Sequence, residues 1–139
     1  RLLKPGGLLL VQVITVPDSR YREYRKETDW IQKHIFPGGM LPSNAILGEA
    51  ARKHSSLVME NTEDIGPHYA RTLRHWRERF IANGEAVRAM GFDRAFQRKW
   101  IYYLATCEAG FAEGALHNMQ ILFRKPSRKE TAVGPKRAT

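Results

Sequence analysis

Eight residues near the start of the chain, Leu8-Leu9-Leu10-Val11-Gln12-Val13-Ile14-Thr15, limit the possible folds more than any other stretch. Six of the eight are aliphatic, and the run is bounded by Pro5-Gly6-Gly7 before it and Pro17-Asp18 after it. A short, β-branched-rich run with such boundaries predicts a strand buried on both faces, inside a parallel or mixed sheet. The same stretch excludes a transmembrane helix. It is interrupted by Gln12 and ended by Pro17, whereas a span needs roughly 20 apolar residues.

Downstream, the pattern alternates helix and strand. Residues 16–28 are polar and dense in Tyr and Arg, with weak helical character, which predicts an excursion across the surface or over a site. Asp29 caps a short helix ended by Pro37-Gly38-Gly39, and Ser43 caps another running to about His54. Residues 57–61 read as a second strand. Tyr69, Leu73, Trp76 and Phe80 then recur at intervals of four, three and four on one face of a helix that Asn83-Gly84 stops. A long helix over 93–113, with Asp93 as cap, carries Phe92, Phe96, Trp100, Leu104, Cys107 and Phe111 in one stripe. Residues 115–123 predict a last strand. This order describes an α/β sheet with an inserted helical cap over about 16–56, and such a sheet holds its ligand at the carboxyl ends of its strands.

Composition bounds the function classes. At 139 residues, 42% hydrophobic and 27% charged, the chain has the make-up of one globular domain or a large part of one. Its 23 Lys+Arg against 14 Asp+Glu give a net charge of +9, which predicts attraction to polyanions such as an acidic lipid surface or a nucleic acid. Five of the cations lie in 125–139, opposed only by Glu130, so this stretch is expected to be a basic, disordered tail. The lone Cys107 allows no internal disulfide and fits a reducing, intracellular compartment. Residues 1–3 read as the end of a helix stopped by Pro5-Gly6-Gly7, with no initiator Met and no secretory leader, so the chain is expected to begin mid-fold as the C-terminal part of a longer polypeptide.

Few residues carry chemistry. The five histidines form no i, i+4 pair, and no metal site is expected. Gly6-Gly7 and Gly38-Gly39 lack the spacing of a phosphate-binding loop. Two polar residues stand out. Gln12 is the one amide in the apolar strand, and a buried amide needs partners in the protein or a ligand. Tyr69 follows Gly66-Pro67-His68 at the opening of its helix, where a phenol can point toward a site while its ring stays packed. Interleaved Arg and Tyr over 20–26 fit contact with phosphates, but no nucleic-acid-binding module accompanies them, which favours lipid headgroups or solvent over nucleic acid.

The segments Leu2-Leu3-Lys4-Pro5-Gly6-Gly7, Ile35-Phe36-Pro37-Gly38-Gly39-Met40-Leu41-Pro42-Ser43, Glu63-Asp64-Ile65-Gly66-Pro67-His68-Tyr69-Ala70-Arg71-Thr72-Leu73 and Trp100-Ile101-Tyr102-Tyr103-Leu104 together resemble the C-terminal half of the cyclopropane-fatty-acyl-phospholipid synthases and mycolic acid cyclopropane synthases. The resemblance covers nearly all of 1–124. It implies the C-terminal half of a Rossmann-like class I methyltransferase sheet, with S-adenosylmethionine as methyl donor and its glycine-rich motif expected upstream of Arg1. The implied reaction adds that methyl group to a cis double bond of a phospholipid acyl chain, and loss of a proton from the new methyl closes a cyclopropane ring.

By the same resemblance Gln12, Ile14 through its backbone, and Tyr69 match a cradle for a bicarbonate ion that receives the proton. Many members carry His where this chain has Gln12, and an amide cannot titrate. Tyr21, Tyr24, Trp30 and Phe36 fall in the insertion implied to cover the acyl chain. The enzyme is expected in the cytoplasm, adsorbed at an anionic membrane surface, with a homodimer among the arrangements it allows, and the chain by itself is expected to be inactive. A related methyltransferase for a small amine, or a non-catalytic basic module for lipid or nucleic acid, are the alternatives.

Overall fold

The computed structural model describes residues 3–127. Nine elements follow one another: β1 (Leu8–Thr15), α1 (Asp18–Tyr24), α2 (Trp30–His34), α3 (Asn44–His54), β2 (Val58–Asp64), α4 (Gly66–Ala82), α5 (Gly84–Ala89), α6 (Arg94–Ala112) and β3 (His117–Arg124). The sheet order is β1-β3-β2, and β3 runs antiparallel to both neighbours. Its register with β1 is continuous from Leu8↔Arg124 to Thr15↔His117. That with β2 shifts between Met59 and Asn61.

Strand alternation sorts the core into two layers. Val11 and Val13 of β1 join Met119, Ile121 and Phe123 of β3 and pack against Leu47 and Ala51 of α3. Ile14 points to the other face, where Leu73 of α4 and Leu104, Cys107 and Phe111 of α6 are buried. Burying side chains of this size contributes roughly 1.5–3 kcal/mol each. Glu108 ties the two long helices together, accepting from Arg74 Nε at 2.8 Å and from Arg77 Nε at 2.9 Å.

The expectation of a first strand buried on both faces and inside its sheet does not hold. Among the described residues β1 pairs on one side only, antiparallel with β3, and Leu10 is 63% exposed, with Leu8 and Leu9 exposed beside it. The helical layer covers only the carboxyl end of the strand, and no other strand among the described residues pairs with its outer edge. Gln12, expected to be a buried amide, is exposed for the same reason.

The expected insertion over 16–56 divides in two. The stretch over 16–43 leaves β1, forms α1 and α2 beside α6, and returns to its starting point, where Val16 N–H donates to the carbonyl of Pro42. α3 instead covers the opposite face of the sheet. Ser43 is buried at the N-cap of α3 but makes no capping bond. The orphan N–H of Ala45 donates to Asp18 Oδ1 at 2.9 Å, so a carboxylate from α1 does the capping and pins both ends of the excursion together. A hydrogen bond from Ser43, then that from Ala45, hold the Asp18 carboxyl below its usual range.

Other boundaries moved modestly. β2 extends through Asp64 rather than stopping at 61, and α5 follows Asn83 at once. Lys125, expected to open the disordered tail, is tied down: its N–H donates to the Gly7 carbonyl and its carbonyl accepts from Gly6. The expected disorder of 128–139 and the helix end at Arg1 and Leu2 lie outside the described residues.

Candidate functional site

Where the excursion lies over α6 it forms one side of a half-open cavity of about 340 Å³. α6 contributes Tyr103, Cys107 and Phe111, and β1 contributes Ile14. The excursion supplies Tyr24, Ile31, Phe36, Met40 and Leu41. The wall is mostly hydrocarbon, and its polar members are largely committed to structure. Asp29 Oδ1 accepts from Gln32 N–H at 2.7 Å while Gln32 Oε1 accepts from Asp29 N–H at 2.8 Å, a reciprocal cap worth about 1 kcal/mol. The Gln32 amide then donates to the Gly39 carbonyl at 2.8 Å, fixing the Pro37-Gly38-Gly39 turn, where Gly38 adopts φ +79°. Tyr24 Oη accepts from Leu41 N–H at 3.3 Å, bracing the far side of the same loop.

A second cavity, also about 340 Å³, lies between α4 and α6, lined by Trp76, Phe80, Trp100 and Leu104. It shares Phe36 and Tyr103 with the first. Their rings meet edge-on at 5.9 Å and form the partition between the two.

The structure brings together some of the residues singled out in the sequence and separates others. Ile14, Tyr24 and Phe36 line the first cavity. Tyr69 adjoins it without lining it: its ring stands edge-on to Phe111 at 5.0 Å and packs on the same core cluster as Ile14. Gln12 lies on that face of the sheet, two residues before Ile14. Trp30 packs against Tyr102 and His34 on the outside of α6, and neither it nor Tyr21 lines the cavities described here. Tyr103, Cys107 and Leu41 line the first cavity too, although the sequence pointed to none of them as a site residue. Only the intervals of α6 could have flagged the first two, and those intervals also describe ordinary core.

Burial sets the protonation of the site. It pushes the Tyr103 phenol up to about 12 and the Cys107 thiol up to about 11. It also raises Tyr69, which the nearby Cys107 raises further. All three keep their protons near neutrality, so Tyr69 is a donor. Opposite Ile14 in the register is Asn118, 1% exposed, whose Oδ1 is buried without a hydrogen-bond partner among the described residues. Asn118 Oδ1 is thus an acceptor with no donor among the described residues, on the sheet face that also carries Gln12 and Ile14.

Among the described residues no cluster of three or more His, Cys, Asp or Glu could hold a metal ion, and no helix is long and apolar enough to cross a membrane.

Residues 1–121 match the family model described as mycolic acid cyclopropane synthetase. The chain is 44% identical over 116 residues to the tuberculostearic acid methyltransferase UfaA1 of Mycobacterium tuberculosis, covering 84% of this chain and 27% of that protein. It is 33% identical over 130 residues to the cyclopropane-fatty-acyl-phospholipid synthase of Escherichia coli, covering 90% and 31%. The fold superposes with a TM-score of 0.76 on the mycolic acid cyclopropane synthase CmaA1 complexed with SAH and CTAB, at 27% identity, over 90% of this chain and 46% of that one. The chain thus spans less than a third of the length of these curated relatives and less than half of the solved structure.

Proposed function

We propose, from the premise that this chain belongs to the mycolic acid cyclopropane synthetase family, that it forms the acyl-holding part of an enzyme that cyclopropanates cis double bonds of phospholipid acyl chains. The observation that carries this reading is the hydrocarbon-walled cavity between the excursion and α6, with Ile14 at the sheet and Phe36 and Tyr103 at its far wall. A chain of methylenes is the ligand such a wall desolvates without leaving a polar group unpaired.

S-adenosylmethionine, when bound, supplies an electrophilic methyl group, and the residues that bind it are proposed to belong to the part of the relatives that this chain does not span. The residues present here orient the acceptor. Tyr24, Ile31 and Leu41 wall the chain off from water, and the partition of Phe36 and Tyr103 sets how far it reaches. Tyr69, Gln12 and the backbone at Ile14 would hold a bicarbonate ion, with Asn118 Oδ1 accepting from its hydroxyl, and the ion would supply a base in a dry site.

The test is mass spectrometry of phospholipids from cells expressing an enzyme that carries this chain, fed isotope-labelled methionine. Unsaturated acyl chains that gain one labelled methylene and lose their double bond support the reading. A labelled methyl branch in place of a ring moves the activity toward methylation alone, and unlabelled lipids overturn the acyl assignment.

A further inference from the structure

The end of the helical layer farthest from the sheet exposes apolar and basic side chains together. Ile81 at the end of α4, Met90 after α5 and Phe92 before α6 are 50%, 69% and 43% exposed. Around them, residues 79–99 carry five basic side chains against two acidic ones. Local contacts shape the tip. Val87 is buried beneath it, the Gln97 amide donates to the Gly84 carbonyl at 3.2 Å, and Gly91 makes the turn at φ +94°.

From this tip an aromatic row runs inward along α6. Phe92 stacks on Phe96 at 4.4 Å, Phe96 on Trp100 at 5.7 Å, and Trp100 meets Tyr103 at 5.2 Å, at the partition between the two cavities. The row from Phe92 to Tyr103 climbs about 16 Å at the helical rise. The cavity between α4 and α6 lies alongside it, and half-exposed Trp76 is part of its wall.

We infer that the tip formed by the end of α4, by α5 and by the start of α6 is the surface that adsorbs to an anionic lipid bilayer, with the aromatic row leading from it to the acyl cavity. Apolar side chains flanked by arginines suit the headgroup boundary: the aliphatic and aromatic groups enter the acyl edge while the guanidiniums stay with the phosphates. The inference rests on the acyl reading above, but its test does not depend on turnover.

Binding of the purified protein to vesicles of phosphatidylglycerol and phosphatidylcholine, mixed or separate, is measured by co-sedimentation. The double variant Met90→Glu/Arg94→Glu changes two exposed tip positions, and Arg52→Glu/Lys53→Glu makes a larger charge change on α3, across the sheet. The tip variant is expected to lower binding to anionic vesicles by about tenfold or more, and the α3 variant by less than about threefold. Both variants should keep the parent's circular dichroism spectrum. Equal losses in the two variants overturn the inference in favour of diffuse net charge. Failure of the parent to bind anionic vesicles, or tighter binding to an oligonucleotide at the same salt, overturns it as well. Tip-dependent vesicle binding without any methyl transfer to lipid keeps the docking surface and discards the acyl assignment.

Discussion

Nδ1 of His117 lies 2.6 Å from Oδ2 of Asp64, joining the first residue of the central strand to the last residue of β2. The other carboxylate oxygen accepts from Gly66 N–H at 2.8 Å and from Asn118 N–H at 3.2 Å. One side chain thus anchors the start of α4, the helix that carries Tyr69, to the strand that carries Asn118. Burial works against the charge on Asp64, but these three bonds outweigh it and hold the carboxyl below its usual range. A depressed carboxyl stabilises the fold above its unfolded value, about 3.9, and that stabilisation is lost as pH falls through the folded value. Asp64→Asn is expected to cost about 1–2 kcal/mol at pH 7 and to flatten the acid limb of stability against pH. Chemical denaturation at pH 7 and near pH 3 checks both, and an unchanged acid limb would contradict the assignment.

Gly66 is constrained by the same contacts. A Cβ there would meet Asp64 Oδ1 at 2.9 Å, with Asn118 N and Phe111 Cδ1 each at 3.4 Å. Gly66→Ala is therefore expected to destabilise by about 1–3 kcal/mol, although alanine is the better helix former. A raised denaturation midpoint would show that the carboxylate can shift at no cost.

Tyr69 and Asn118 predict opposite balances of stability and activity. Tyr69→Phe in an enzyme carrying this chain is expected to lower turnover by at least tenfold while leaving S-adenosylmethionine affinity within about twofold. Asn118→Leu removes an orphan buried carbonyl, so stability should hold within about 1 kcal/mol or rise while turnover falls. Steady-state kinetics with thermal denaturation of each variant separates the effects. Parallel losses of turnover and cofactor affinity in Tyr69→Phe would remove it from the reaction.

Cys107 offers a chemical check on burial. With its thiol pushed up to about 11, the thiolate fraction at pH 8 is about two orders of magnitude below that of a free cysteine. Alkylation in the folded protein should be slower by at least that factor and become complete in denaturant. Rapid labelling of the folded chain would mean that the α6 face opens to solvent.

Legibility in the sequence depended on how local the cause was. β1 and the ends of α6 were readable because their signals sit within a few residues: the aliphatic run with its Gly and Pro borders, and Asp93, whose Oδ1 does accept from Phe96 N–H at 2.7 Å. Ser43 stands at the N-cap of α3 as expected, but the side chain that satisfies the helix N–H there is Asp18, 27 residues before Ala45 on another element. Gln12 misled because burial of a strand face depends on what covers it, and periodicity does not report that. At the site, Ile14, Tyr24 and Phe36 could be named from resemblance and position, whereas Asn118 could not. Its lack of a partner emerges only when β3 is laid against β1.

The position of β3 reaches beyond the site. It is the last of the described strands in sequence and the middle one of them in space, so the ladders that β1 and β2 form with it cannot close until 117–124 has left the ribosome. Over a hundred residues emerge first, with exposed leucines and two strands waiting on a distant contact, the kind of topology that folds slowly. A stop codon anywhere before His117 would not trim an edge. It would remove the strand that joins β1 to β2.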